Sequence, residues 1–118
     1  MIDSTIQLSK LSSLLNNLPA IVYQCRNDEQ WTMEYLSDNC WDLTGYETND
    51  LLYNHNYSYS SLIYPSDRHL VWQEIQEAIA SHTIFEVEYR IVHRSGEIKW
   101  VWEKGKGVYS SRGELLFL

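Results

Sequence analysis

The side chains of this 118-residue chain that could do chemistry unaided are few and scattered. They are four histidines (His55, His69, His82, His93), two cysteines (Cys25, Cys40) and the strand-spaced carboxylates Glu86 and Glu88. Metal sites need ligands on one face or in closely spaced pairs. No two histidines have such spacing, and the cysteines lie too far apart for a CxxC motif, so no metal site is read here. Glu86 and Glu88 share one face of a strand pattern, where carboxylates form a solvated surface or partner Lys99 and Arg90. A nucleophile elbow, a phosphate-cradling glycine loop and a Ser-His-Asp arrangement are all missing, and the chain is not read as an enzyme.

Composition narrows the partners. A formal net charge of -7 with scattered basic residues argues against nucleic acid and against an anionic membrane surface, both of which select clustered Lys and Arg. Hydrophobic residues make up 44% of the chain, with five Trp and nine Tyr, enough for one packed core and one domain. No run approaches the roughly 18 to 20 apolar residues of a membrane span, and no export leader opens the chain. Two isolated cysteines fit a reduced, cytoplasmic setting. The final GELLFL stops on an apolar strand, which reads as a last strand cut short from a longer protein.

These residues are positioned by elements that the hydrophobic period predicts. Ile6, Leu8, Leu11, Leu14, Leu15 and Leu18 recur at helical spacing, so residues 1–19 read as an N-terminal amphipathic helix ended by Pro19. Ile21 to Cys25 and Trp31 to Leu36 read as a hairpin. Ser37 or Asp38 is placed to cap a short helix closed by Gly45, and Thr48 to Asp50 starts another. Tyr53 to Ser61 has no period and reads as an irregular loop. Pro65-Ser66-Asp67 opens a longer helix reaching about Ser81, with Ser66 or Asp67 as cap. Phe85, Val87, Tyr89 and Ile91 then alternate with polar residues, as do Ile98, Trp100 and Trp102 after the turn at Arg94 to Glu97. That strand resumes through Val108-Tyr109, and Leu115 to Leu118 starts a last one.

Helices covering one face of an antiparallel sheet make an α+β plan. Within it, LTGYETNDLL (43–52), IYPSDR (63–68), EYRIVHRSGEIKWV (88–101) and SRGEL (111–115) keep an order and spacing that resemble the PAS domain. The resemblance covers about Leu14 to the end and implies a five-stranded antiparallel sheet over residues 20–118, helices on one face, and the amphipathic helix before it. It also implies a regulatory module of a bacterial signalling protein, attached to an output domain such as a diguanylate cyclase or a histidine kinase. Structural roles follow for Gly45 and Gly96 (positive φ), Pro65 (helix start), and Asp67, Arg68 and Arg90 (polar anchoring), with Arg68 facing Asp67 or a backbone carbonyl.

The functional part of such a module is the cavity between sheet and helices. The candidate lining is Tyr23, Tyr35, Cys40, Leu43, Leu62, Trp72, Ile75, Ile79, Phe85, Tyr89, Ile91, Trp100 and Trp102, an aromatic set suited to a flat or acyl ligand or to a filled core. Flavin-binding relatives carry an Asn-Cys pair after the TGY segment, whereas Asn39-Cys40 precedes it here. Heme-binding relatives place a His on the long helix about one turn beyond His69, where this chain has Trp72. The reading therefore assigns neither heme nor flavin. Ile6, Leu8, Leu11 and Leu15 are the candidate contact with a second copy, because a lone amphipathic helix otherwise exposes its stripe.

Overall fold

The computed structural model describes residues 4–18 and 20–118. Helix α1 spans Ser4–Asn16 and leaves Leu8, Leu11 and Leu14 exposed. Pro19, read as the helix stop, and the side chain of Ile6, read as part of the apolar stripe, lie outside the described residues. Strands β1 (Tyr23–Cys25) and β2 (Met33–Leu36) pair antiparallel. Three short helices follow: α2 (Cys40–Thr44), α3 (Thr48–Leu51) and α4 (Tyr59–Leu62). A 3-10 turn at Pro65–Asp67 leads into α5 (Arg68–Ser81). The chain closes with β3 (Phe85–Val92), β4 (Ile98–Gly105), β5 (Val108–Tyr109) and β6 (Leu115–Phe117).

Helix α4 falls where the sequence reads as loop. One helical turn is too short to show a hydrophobic period, and it stands because the Ser58 hydroxyl accepts the Ser61 N–H. The caps also differ from expectation. Asn39, rather than Ser37 or Asp38, precedes α2 and makes no capping bond. Asp67 stands at the head of α5 but likewise caps nothing, because its carboxylate is committed to Arg90.

Among the described residues the strands form three antiparallel ladders, β1–β2, β3–β4 and β5–β6, where one five-stranded sheet was expected. Two reciprocal backbone bonds between Cys25 and Leu118, at 3.0 and 2.9 Å, join the first ladder to the third. Helix α5 buries Val71, Ile75 and Ala78 in the same core as Phe85, Val87, Tyr89 and Ile91 of β3, the alternation that the period-two pattern predicts.

Gly45 is fixed by two constraints at once. Its φ of 77° terminates α2 through a bond from its N–H to the Trp41 carbonyl. A Cβ there would lie 2.6 Å from the His93 ring. Gly45→Ala should therefore cost about 1–2 kcal/mol from the left-handed backbone alone, with the clash adding to it. Urea unfolding checks this as a lowered midpoint at unchanged slope.

Candidate functional site

The β3–β4 register decides which side chains meet behind the sheet. Tyr89 pairs with Val101 and Val87 with Glu103, whereas Arg90 pairs with Trp100 and Glu88 with Trp102. Directly opposed residues point to the same face. Val101 and Glu103 therefore join the buried face, and Trp100 and Trp102 stand on the other, 68% and 60% exposed. The inward placement expected of the two tryptophans is thus reversed. On that outer face the Arg90 guanidinium lies 5.3 Å from the Trp100 ring centre and 4.1 Å from that of Tyr64.

A cavity of about 810 Å³ opens between β4, the end of α1, β1, β2 and the short helices. Of the residues named from sequence, Tyr23, Cys40, Leu43, Tyr89, Trp100 and Trp102 line it, the two tryptophans at its border with solvent. Leu62, Ile75, Phe85 and Ile91 do not line it. They are buried in the core, where α5 closes against β3. Trp72 and Ile79 pack partly buried against that core, with Trp72 5.2 Å from Trp31. Tyr35 pairs across strands with Gln24, away from the cavity. Cys40 is fully buried, its thiol 3.4 Å from both the Tyr46 carbonyl and the Thr48 hydroxyl.

The residue that sequence reasoning missed is Glu103. Its carboxylate accepts the Tyr23 hydroxyl at 3.0 Å and the Tyr89 hydroxyl at 2.7 Å. With Tyr89 donating to Glu103, the Tyr59 hydroxyl donates to Tyr89 at 2.6 Å. All four groups line the cavity. Removal from water raises the Glu103 pKa above the usual carboxylate range, while the two phenol bonds pull it partly back. Burial, with Glu103 adding its charge, raises the phenols of Tyr23 and Tyr59, and burial likewise raises Tyr89. Gly105 makes the arrangement possible. A Cβ there would meet the Phe85 ring at 2.4 Å and the Tyr23 hydroxyl at 2.8 Å.

The other polar candidates are anchors. The Asp67 carboxylate accepts Arg90 Nη2 at 2.7 Å and both Arg90 Nε and its backbone N–H at 2.9 Å. These bonds hold the Asp67 carboxyl down at about 2. Arg68 takes the backbone alternative, donating to the carbonyls of Ile63 at 3.1 Å and Ser61 at 3.4 Å. Glu86 pairs with Lys104 at 3.8 Å, not with Lys99. Gly96 has a φ of 93°. Among the described residues, no three of His, Cys, Asp and Glu gather as a metal site.

The family model described as PAS fold matches residues 33–118. A curated relative, the methyl sulfide methyltransferase-associated sensor of Methanosarcina acetivorans, is 27% identical over 91% of this chain. The chain spans 11% of that protein's length. The PAS domain of an HTR-like protein from Haloarcula marismortui superposes with a TM-score of 0.73 at 18% identity, covering 97% of this chain and 88% of that one. A sensory box histidine kinase/response regulator from Burkholderia thailandensis gives a TM-score of 0.62 at 24% identity, covering 94% and 78%. At such identities the two structures show the shared fold alone.

Glu103 binds its proton more tightly in the folded chain than in the unfolded one. Its stabilising contribution is complete below the ordinary carboxylate range and is lost as pH rises through the raised folded value. Glu103→Gln removes that dependence. The stability of the wild type minus that of the variant should fall as pH rises from acid toward neutrality, as measured by urea unfolding across pH.

Proposed function

The chain belongs to the PAS fold family, and we propose on that premise that it is a non-catalytic sensory module whose cavity receives a small ligand. In this reading residues 20–118 form the sensory body, the segment 1–19 with its helix α1 passes the signal on, and the three ladders act as one five-stranded sheet in which β4 and β5 count as one interrupted strand. The Cys25–Leu118 bonds support that last point. The module works in the cytoplasm, attached to a histidine kinase or diguanylate cyclase output domain.

One observation carries the reading: a cavity of about 810 Å³ whose apolar wall holds a converging carboxylate and three phenols. Ligand sites combine apolar walls with a few placed polar groups in this way, and the volume falls within the usual range of roughly 300–1,000 Å³. The end of α1 contributes Asn16 and Asn17 to the rim, so a ligand seated there touches the helix directly. A ligand shifts output only by its differential affinity for two arrangements of helix and sheet. Native mass spectrometry of the purified domain, with its absorption spectrum, tests this. A reproducible extra mass supports the ligand reading, and a bare chain that takes up nothing from a metabolite extract counts against it.

A second reading is a dimerisation module, favoured by the exposure of Leu8 at 67% and Leu11 at 52% on α1. Leu15 is half-buried on the same helix. Leu11→Glu should then convert dimer to monomer while leaving the fold intact, as circular dichroism would show. An unchanged mass in light scattering would sink the idea.

A further inference from the structure

The polar cluster in the cavity wall specifies ligand chemistry as well as volume. Among the described residues, the Glu103 carboxylate is bonded only by phenols, the hydroxyls of Tyr23 and Tyr89, with Tyr59 behind Tyr89. Phenols donate hydrogen bonds but carry no positive charge, so an ionised Glu103 has no counter-ion from them. Among the described residues, the basic groups nearby are engaged elsewhere. Lys104 borders the cavity but stands exposed beside Glu86 across the strand pair. Arg90 is spent on Asp67, on the outer face. Lys99 does not line the cavity. The other acidic side chain of the lining is Asp42. The rest of the wall combines apolar side chains, Ile21, Met33, Leu36, Leu51 and Val101, with the uncharged polar residues Asn16, Asn17, Asn39 and Thr44.

We propose that this cavity takes an apolar small molecule bearing one cationic nitrogen, an amine or amidine, with Glu103 as its counter-ion. The inference rests on the ligand-sensor reading above and names the ligand class for the same cavity. A desolvated carboxylate without a partner is costly, and a ligand ammonium inside a low-dielectric wall supplies charge-assisted hydrogen bonds that water no longer provides. The oxygens of Glu103 each accept one phenol and retain a free lone pair for that donor. An anionic ligand meets Glu103 and Asp42 with the same sign and is rejected.

Three probes of one shape separate the possibilities: phenethylamine, phenethyl alcohol and phenylpropionate, each titrated into the domain and followed by amide chemical shifts. The amine should bind on the order of tenfold tighter than the alcohol, with shifts gathering at Tyr59, Tyr89 and Val101, and phenylpropionate should bind weakest. Glu103→Gln should bring the amine down to the alcohol and leave the alcohol unchanged. If alcohol and amine bind alike, or the folded variant keeps the amine affinity, the cationic-ligand inference is overturned and the cavity reading stands. If none of the three binds at millimolar concentration, both fall. Should the variant fail to fold, as its melting curve would tell, the ranking in the wild type decides alone.

Discussion

The fold depends on one clamp, in which a carboxylate at the head of the long helix accepts three hydrogen bonds from one residue of the sheet. Asp67 takes the side chain and the backbone N–H of Arg90 together, which fixes both the position and the direction of α5 against β3. Planar guanidinium and carboxylate groups meet in a fork that a lysine would not reproduce. Neighbouring bonds tighten the same corner. The Tyr64 N–H donates to the Arg90 carbonyl, Ile63 bridges to Ile91, and Arg68 gathers the carbonyls that precede the helix. With α5 anchored there, its apolar side chains fill one end of the space behind the sheet. The other end, under the short helices, is where the cavity opens.

Much of this was legible in the residues. The PxDR and ExR segments named the members of the clamp, although not who pairs with whom: the neighbouring Asp67 and Arg68 are directed to different partners. The helical period placed α5, and the alternation at Phe85 to Ile91 gave the buried face of β3. In β4 the same kind of alternation misled, because it defines two faces without saying which is inside. Hydrophobicity favoured Trp100 and Trp102, whereas the hairpin register puts Glu103 opposite Val87. Counting strand pairs outward from the turn at Gly96 would have found Glu103, so the signal was present in the turn rather than in the composition. Tyr59 was hidden for a different reason, since a helix of four residues offers no period to read.

The wall of the cavity places an acid among phenols next to a sheet face that shows tryptophan to solvent. Strand β4 thereby turns a carboxylate toward the cavity and two tryptophans toward solvent, against the usual apolar-in, polar-out alternation of a half-buried sheet. Such inversions of local rule mark functional positions more often than structural ones. A shift of one residue in the register of β4 would exchange the two faces completely, so the side chains crowding Gly105, Phe85 and the Tyr23 hydroxyl, also guard the identity of the cavity wall.

The reciprocal bonds between Cys25 and Leu118 put a thiol at the seam where the first ladder meets the third. Cys25 is buried and its thiol is pushed up to about 12, chiefly by burial. A native molecule therefore offers an alkylating reagent almost no thiolate at this seam. Modification must wait for β6 to part from β1, and under excess reagent its rate becomes a clock for that opening. Cys40 is buried at the start of α2 and keeps separate time for that half of the molecule. The two cysteines, assigned no chemistry of their own, thus report breathing motions on either side of the cavity without any label being built in.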